Sequence, residues 1–290
     1  MKTRVITSVV ALIILAAVML LFNTFWFNLI ICAVCLLSIH EVYMAFGFGK
    51  REWYLFIPFV PFTLVIMLST FPRAWELLLP VSFVFALYLC ICVIWHNQTL
   101  SFAKLGGMVC FSGLILLCFY SLIYLKRLLP IERYQYDALY FILLILCFAW
   151  GGDSMAYFAG RFWGKHKLAP VVSPNKTVEG AIGGVCGSVA MGLLATAIYE
   201  MLGGAAEGLF SVEMVSGKLY FFIALLAVGG SILGILGDLF ASAVKRQCKI
   251  KDYGKIFPGH GGMLDRFDSV MFIAPFVSMI VTLVFYRFVY

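Results

Sequence analysis

Charged residues are scarce in this sequence. Only 12% of its 290 residues are Asp, Glu, Lys or Arg, whereas soluble globular domains carry about 25%. Hydrophobic residues make up 63%, and the mean hydropathy is +1.03. A backbone in lipid must satisfy its own hydrogen bonds, so apolar runs of about 20 residues predict membrane-spanning helices. The composition excludes a sizeable soluble domain and predicts an all-α fold, a polytopic transmembrane helical bundle.

Several motifs of soluble enzymes are also absent. The sequence has no G-x-x-x-x-G-K-[ST] loop and no G-x-G-x-x-G after a strand, which excludes a nucleotide-binding fold of the soluble type. It has four histidines and no H-x-x-x-H pair. Its nine cysteines, including Cys32 and Cys35, lie mostly within apolar runs. An odd number without polar neighbours argues against a disulfide framework or a zinc site.

The apolar runs predict about nine spans, or eight if neighbouring runs near the N-terminus are one. The first run is too long for a signal peptide and predicts a retained helix. Pro58 and Pro61 predict a kink in the third. Residues 1–150 are expected to form hydrophobic N-terminal transmembrane helices, and residues 151–290 a C-terminal catalytic region with two basic cytoplasmic loops. The predicted spans are 5–22, 25–46, 53–70, 75–95, 105–125, 138–159, 178–201, 219–244 and 268–286.

The basic residues indicate the orientation. Ten of the 21 lysines and arginines fall in two loops separated by two predicted spans, so both loops face the same side. Because cytoplasmic loops are enriched in Lys and Arg, that side is the cytoplasm, with the N-terminus inside. The loop with Lys126, Arg127 and Arg133 disagrees, since it would lie outside. The two basic loops hold Arg161, Lys165, Lys167 and Lys176, and Lys245, Arg246, Lys249, Lys251, Lys255 and Arg266.

Two acidic residues lie at membrane depth. Asp153 ends the sixth predicted span, and Asp238 lies within the eighth. A carboxylate there costs several kcal/mol unless it is paired or binds a cation, although each alone could be a helix-end residue near the headgroups. Gly230, Gly234 and Gly237, which precede Asp238, allow a neighbouring backbone to approach, and the carboxylate beside them favours a close approach by a ligand or metal. For the glycines at 180, 183, 184 and 187 we expect helix packing.

The segment KDYGKIFPGHGGMLDRFDS, residues 251–269, concentrates charge around four glycines. Its flexible backbone can present N–H groups to an anion. Asp265 and Asp268 are three residues apart, so both can face one way, although acids at a helix start also favour the helix dipole. Carboxylates suit magnesium, and neighbouring lysines suit polyphosphate. The residues thus predict a membrane enzyme or transporter that handles a phosphorylated substrate.

Two motifs carry a family resemblance. SAVKRQCKIKDYGKIFPGHGGMLDRFD, Ser242 to Asp268, resembles the phosphatidate cytidylyltransferases, or CDP-diacylglycerol synthases, in every fixed position of S-x-x-K-R, K-D and P-x-H-G-G-x-x-D-R-x-D. DSMAYFAGRFWGKHKLAPVVSPNKTVEGAIGG, from Asp153, resembles a second block of that family. It departs from it at Asn175, where lysine is common, and at Val178, where tryptophan is common. The resemblance covers the C-terminal half, and the N-terminal half only by its hydrophobic layout.

The resemblance implies an activity, a cofactor and a site. The family makes CDP-diacylglycerol and pyrophosphate from CTP and phosphatidic acid with Mg²⁺. By resemblance, Asp238 and Asp265 are metal ligands, and Asp268 and Asp153 support them or bind a second cation. The implied phosphate-binding and catalytic residues are Lys176, Lys245, Arg246, Lys251 and Arg266, with His260, Gly261 and Gly262 orienting pyrophosphate, and Ser173, Pro174, Thr177, Arg161 and Lys165 in the other substrate-binding loop.

Two alternatives remain open from the residues. One is another CTP-dependent membrane enzyme, such as a polyprenol kinase, and the other is a transporter of lipid phosphates or anions. The D-G-x-x-A-R motif of CDP-alcohol phosphotransferases is absent. The expected partners are membrane lipid and the two substrates, without nucleic acid, and the glycine-rich faces allow a homodimer. We expect an integral protein of a bacterial plasma (inner) membrane, with its active site facing the cytoplasm.

Overall fold

The structure, a computed structural model, describes residues 2–203, 216–257 and 261–289. These residues are mostly helical, with one short antiparallel hairpin of β1 and β2. The elements in chain order are α1 (Lys2–Leu20), α2 (Phe25–Ala45), a 3₁₀ helix (Lys50–Leu55), α3 (Phe59–Met67), α4 (Pro72–Glu76), α5 (Leu78–Trp95), α6 (Phe102–Leu128), α7 (Ile131–Tyr134), α8 (Asp137–Leu146), a π turn (Cys147–Gly151), α9 (Gly152–Trp163), β1 (Lys167–Ala169), β2 (Ser173–Thr177), α10 (Val178–Met201), α11 (Ser216–Gln247), α12 (Leu264–Phe267) and α13 (Val270–Val289).

The helices confirm the predicted class, an all-α integral membrane protein. Six are long and apolar enough to cross a membrane: Phe25–Ala45, Leu78–Trp95, Phe102–Leu128, Asp137–Trp163, Val178–Met201 and Lys218–Gln247. Two shorter apolar helices, Val9–Leu20 and Val270–Val284, fall at further predicted spans. The sixth span is one continuous helical segment, because the π turn joins α8 to α9 without a break.

The predicted third span is kinked at the expected place. The 3₁₀ helix ends at Leu55, and Pro58 precedes α3, which has only nine residues. At 1.5 Å per residue, nine residues extend about 14 Å, which is less than the roughly 30 Å of a hydrocarbon core. Proline has no N–H to continue a helical ladder, so Pro58 and Pro61 explain why one long helix does not form here.

The kinked segment nevertheless runs the length of α2. At the end of α2 where the segment begins, the Tyr43 hydroxyl donates to the carbonyl oxygen of Gly49, 2.5 Å away. At the other end, the amide of Asn28 donates to the carbonyl oxygen of Met67 at 2.7 Å. Asn28 belongs to the first turn of α2 and Tyr43 to its last. The 3₁₀ helix and α3 together therefore make the traverse that the sequence predicts between residues 53 and 70.

The chain divides into two compact units, each formed from separated stretches. The first unit comprises Met1–Ile123 and Gln247–Phe267, and the second comprises Tyr124–Arg246 and Asp268–Tyr290. The sequence predicts a different division, at residue 150, between hydrophobic helices and a region that carries the polar motifs. This functional division stays a prediction. The basic segment after Arg246 thus belongs to the first unit, whereas Lys245 and Arg246 belong to the second.

In the first unit, three segments meet at one end. The Lys104 ammonium, at the start of α6, donates to the carbonyl oxygen of Gly47, just after α2, at 3.1 Å. The ring of Tyr253, in the segment between α11 and α12, lies 5.7 Å from the ring of Phe111 in α6. The end of α2 and the segment between α11 and α12 therefore both pack against α6.

In the second unit, glycines allow α9 and α10 to pack closely. A Cβ at Gly183 would overlap the side chain of Ala159, and one at Gly187 would overlap that of Met155. The packing role predicted for these α10 glycines is therefore confirmed. Near the C-terminal end of α10, the Tyr199 hydroxyl donates to the buried carboxylate of Asp137, at the start of α8, at 2.6 Å.

Substituting Gly183 by alanine should destabilise the protein. The added methyl group has no room between α9 and α10, and overpacking of this kind typically costs about 1–3 kcal/mol. The matched control is Gly113→Ala in α6, where a Cβ would meet nothing within 4 Å. Thermal unfolding in detergent should show a lower Tm for Gly183→Ala and an unchanged or higher Tm for the control. Equal Tm values for the two variants would contradict the packing role.

Candidate functional site

Acidic and basic side chains converge at one end of the second unit. Asp153 lies in the first turn of α9, Asp238 lies in α11, and Asp268 lies just before α13. Lys176 comes from β2 and Lys245 from the last turn of α11. Four segments distant in the sequence thus supply three carboxylates and two ammonium groups, which we call the carboxylate cluster. The sequence predicts all five residues as site residues.

The π turn sets the position of Asp153. It occupies Cys147–Gly151, directly before α9, and π turns inside α-helices occur frequently at functional sites. The wider turn disturbs the regular ladder, and the hydroxyl of Ser188 in α10 donates to the carbonyl oxygen of Phe148 at 2.7 Å. A Cβ at Gly152 would overlap the same hydroxyl. The start of α9 is therefore fixed against α10 immediately before the acid.

Direct contacts connect the members of the carboxylate cluster. The Asp238 carboxylate forms a salt bridge with Lys176 and accepts a hydrogen bond from the Ser242 hydroxyl at 3.2 Å. The Asp268 carboxylate lies 3.9 Å from the Lys245 ammonium. It also accepts a hydrogen bond from the backbone N–H of Ser269 at 2.9 Å.

Ser269 joins two acids, because its hydroxyl donates to the Asp153 carboxylate at 3.2 Å while its backbone N–H binds Asp268. Burial raises the pKa of Asp268, which precedes α13; the negative charges of Asp238 and Asp153 also raise it, whereas Lys245 lowers it. Three carboxylates within mutual electrostatic range favour the binding of a cation among them.

Protein atoms occupy the space beside the glycines that precede Asp238. A Cβ at Gly237 would lie 2.6 Å from the carbonyl oxygen of Asp268, and one at Gly234 would lie 2.8 Å from the side chain of Ile273. A Cβ at Gly230 would lie 3.3 Å from the ring of Phe148. The close approach of a neighbouring backbone predicted for these glycines is therefore confirmed at Gly237, and the approach of a ligand or metal to them stays a prediction. They bring α11 against the chain around Asp268, and this approach is what places Asp268 near Asp238.

A cavity of about 600 Å³ opens beside the cluster, within the range of roughly 300–1,000 Å³ typical of small-molecule sites. Asp153 and Asp238 line one part of it, and Lys176 and Arg161 contribute positive charge. Tyr157 also lines it, with its hydroxyl accepting a hydrogen bond from the Arg161 guanidinium at 2.9 Å. The cavity can therefore offer cations, carboxylates and an aromatic ring to one ligand.

The hairpin that carries Lys176 is held at its base by Glu179, in the first turn of α10. Its carboxylate accepts the backbone N–H of Lys165 at 3.1 Å and pairs with Nδ1 of His166 at 2.6 Å. Thr177 caps α10 by accepting the N–H of Gly180 at 3.1 Å. Arg246, whose Nε donates to the carbonyl oxygen of Val172 at 3.3 Å, ties the end of α11 to the tip of the hairpin.

The hairpin gives the predicted residues of this loop different positions. Ser173 and Pro174 lie in β2, and Ser173 pairs with Ala169 of β1. Lys165 is exposed and enters the arrangement through its backbone. Prediction from sequence did not assign Glu179 or His166 a role. The available signal was an acid in the first turn of a predicted helix, which complements the helix dipole.

The remaining predicted site residues belong to the first unit. The Asp265 carboxylate accepts the backbone N–H groups of Tyr253 and Gly262, each at 2.9 Å, and so closes its own loop. Gly261 adopts a φ of +83°, which favours glycine. Lys251 and Arg266 lie in the same segment, and His260 lies outside the described residues. The predicted pairing of Asp265 with Asp238, which belongs to the second unit, stays a prediction.

Glu41 is an acid near the end of α2 that the sequence analysis missed. It is only 5% exposed, and it accepts the backbone N–H groups of Met263 and Leu264, each at 2.8 Å. The signal was present in SIHEVYMAF, where a single carboxylate interrupts an apolar run. A charge at that depth is costly unless something binds it.

The oxygen donors of the carboxylate cluster suit a hard divalent cation. Within the described ranges, no group of three or more His, Cys, Asp or Glu side chains is arranged to hold an ion by itself. Mg²⁺ does not need such a cage, because it usually takes one or two carboxylates and completes its octahedron with water and substrate phosphate oxygens. Asp238 supplies a carboxylate of this kind at the wall of the cavity, and Asp268 supplies another within the carboxylate cluster.

Comparison with known proteins identifies the family. The model of the cytidylyltransferase family matches residues 2–284. Proteins named phosphatidate cytidylyltransferase are similar to this chain: one from Bacillus subtilis is 34% identical over 187 residues, covering 64% of this chain and 62% of the relative. One from Staphylococcus haemolyticus is 40% identical over 144 residues, covering 50% of each. One from Thermotoga maritima is 41% identical over 163 residues, covering 56% of this chain and 55% of the relative.

The two kinds of match differ in extent. The matched segments span between 50% and 62% of the lengths of these three relatives. The family model, by contrast, extends through α1 at one end of the chain and into α13 at the other. It therefore includes both compact units, with the carboxylate cluster and the segment around Asp265. This chain belongs to the cytidylyltransferase family.

Proposed function

We propose that the protein transfers the cytidylyl group of CTP to phosphatidic acid, giving CDP-diacylglycerol and pyrophosphate. The observation that carries the proposal is the carboxylate cluster beside a cavity of about 600 Å³ in a membrane-embedded unit. Family membership and the name shared by the three relatives support the same reaction. Its lipid substrate stays in the membrane, whereas CTP is soluble, so a polar site at the end of a helical bundle suits both.

The reaction needs little acid–base chemistry from the protein. A phosphate oxygen of phosphatidic acid attacks the α-phosphorus of CTP, a new P–O bond forms, and the bond to the β-phosphate breaks as pyrophosphate leaves. A phosphate monoester has a second pKa near 6, so at pH 7 the attacking group is mostly dianionic and needs no strong general base. The main barrier is repulsion between two anions, which cationic groups reduce.

Lys176 and Lys245 are suited to that task. Each faces a carboxylate of the cluster, so each is held at the site and can exchange its partner for a phosphate oxygen. Arg161 adds a charge that does not titrate, at the wall of the cavity. We propose that Arg246, which binds the hairpin tip, keeps the Lys176 strand in place and reaches phosphate as the resemblance implies.

We further propose that Mg²⁺ is the metal cofactor, held by Asp238 and Asp268 with Asp153 in support. When bound, Mg²⁺ would neutralise phosphate charge and polarise the bond that breaks. The role of the protein is to keep the acids near one another: Ser269 orients Asp153 and Asp268 together, and Ser242 orients Asp238. By resemblance, Asp265 is a further ligand.

The activity is tested directly with purified protein in mixed micelles. CTP, Mg²⁺ and phosphatidic acid should give pyrophosphate and CDP-diacylglycerol in equal amounts, measured by coupled phosphate assay and lipid mass spectrometry. Diacylglycerol and a polyprenol, offered in place of phosphatidic acid, should give neither product. Release of CDP with a polyprenol would indicate a kinase instead, and no consumption of CTP with any of these lipids would remove the proposal.

Neutralising either proposed metal ligand should abolish most turnover. Asp238→Asn and Asp268→Asn should each lower kcat by more than about 100-fold, the size of effect expected when one group that stabilises transition-state charge is lost. Glu132→Gln, an exposed acid elsewhere in the second unit, is the matched control and should keep wild-type kcat. Melting curves in detergent check folding. A kcat within threefold of wild type for either aspartate variant would exclude that residue as a ligand.

The orientation follows from the positive-inside rule and from the source of CTP. Single cysteines at Lys167 and Lys251, in a cysteine-free background, should react with an impermeant maleimide only after the cells are opened. A cysteine at Lys218, which lies at the start of α11, should react from outside intact cells. Labelling of Lys167→Cys or Lys251→Cys in intact cells would reverse the proposed orientation.

A further inference from the structure

Glu41 of α2 holds the backbone of a distant segment. Its two carboxylate oxygens accept separate hydrogen bonds, Oε1 from the N–H of Met263 and Oε2 from the N–H of Leu264, both at 2.8 Å. The donors follow it by 222 and 223 positions in the chain. Charge-assisted hydrogen bonds of this kind are roughly twice as strong as neutral ones. They provide the compensation that a carboxylate with only 5% exposure requires.

Two glycines of the same segment pack directly on this carboxylate. A Cβ added at Gly262 would overlap both oxygens of Glu41, and one added at Gly254 would overlap Oε1. Neither glycine has a positive φ, whereas Gly261 does. Glycine at 254 and 262 is therefore explained by close approach to Glu41, and glycine at 261 by backbone conformation. The implied substrate contact of Gly262 is not needed to account for its lack of a side chain.

A second carboxylate completes the arrangement. Asp265 accepts the N–H groups of Tyr253 and Gly262, so the chain before and after residues 258–260 is joined through one oxygen. Glu41 attaches residues 263 and 264 to α2, and Asp265 holds the N–H groups of Tyr253 and Gly262 together. We call the described residues 253–257 and 261–265 the glycine loop. Five backbone positions, Tyr253, Gly254, Gly262, Met263 and Leu264, thus depend on two acids.

We propose that Glu41 is a positioning residue of the cytidylyl transfer, which acts by fixing the glycine loop and, through it, Asp265 and Arg266. It acts on the backbone, and the groups that it positions are those that the family resemblance assigns to metal and phosphate. The inference rests on the proposed function for its kinetic consequence. Its structural consequence, the ordering of the loop, is independent of which reaction the protein catalyses.

The first test replaces the carboxylate with an amide. Glu41→Gln keeps the size of the side chain but sets an NH₂ group against one of two backbone N–H donors. We expect kcat to fall about 10- to 100-fold, because a misplacement near 1 Å can cost that much. The matched control is Glu52→Gln, whose carboxylate also accepts a backbone N–H, that of Gly49 at 2.9 Å, outside the loop. The control should keep wild-type kcat.

The second test uses the overlap between Gly262 and Glu41. Gly262→Ala alone should lower kcat at least tenfold, since the methyl group collides with the carboxylate. Once Glu41→Ala has removed that carboxylate, adding Gly262→Ala should cause no further loss. Contacting residues are expected to be non-additive in this way. Losses that multiply independently would show that Gly262 does not act through Glu41 and would overturn the proposal.

Hydrogen exchange separates this inference from the proposed function. In detergent-solubilised full-length protein, peptides covering residues 253–257 and 261–266 should exchange faster in Glu41→Gln than in wild type or Glu52→Gln, while peptides of α10 stay unchanged. If wild-type protein fails to transfer cytidylyl groups but shows this difference, the proposed function fails and the loop role of Glu41 stands. Unchanged exchange of both loop peptides in Glu41→Gln would overturn the inference.

Discussion

The second unit depends on how three acids, two of them half-buried, are kept together at one end of a membrane helix bundle. Carboxylates in such surroundings cost several kcal/mol each when unpaired. Here Lys176 and Lys245 provide opposite charge, and the serine at 269 provides a hydroxyl and an N–H. Burial, and after it the negative charge of Asp238, nevertheless raise the pKa of Asp268. The carboxylates favour the binding of a cation. A bound cation and the neighbouring lysines would together favour the binding of phosphate groups.

Close helix packing makes this cluster possible. Gly237 lets α11 approach the carbonyl of Asp268, and Gly183 and Gly187 let α9 approach α10. The π turn before Asp153 sets where that acid emerges from its helix. Glycine therefore serves three purposes in this chain: it joins helices, permits a positive φ at Gly261, and admits a carboxylate beside backbone at 254 and 262. Of these, only the positive φ at Gly261 concerns backbone conformation.

Much of this architecture could be predicted from the sequence because lipid restricts the choices. Long apolar runs must become helices, and the prolines at 58 and 61 correctly predict the kink in the third span. The structure brings the motif residues Asp153, Lys176, Asp238 and Lys245 to one end of the second unit, and the roles predicted for them stay predictions. The hairpin at 167–177 could not be foreseen, since its strands have only three and five residues and show no alternating apolar pattern. The role of Glu41 could not be predicted because its hydrogen-bond partners lie more than 200 residues away in the sequence, beyond any local pattern.

The central claim is that the acids of the second unit bind a divalent cation together with a nucleotide triphosphate. Mn²⁺ can replace Mg²⁺ as a paramagnetic probe of such oxygen sites. Electron paramagnetic resonance of purified protein should show Mn²⁺ bound more tightly when a non-hydrolysable CTP analogue is present, and this gain should disappear in Asp238→Asn. Equal Mn²⁺ affinity with and without the analogue, or an undiminished gain in Asp238→Asn, would contradict the account.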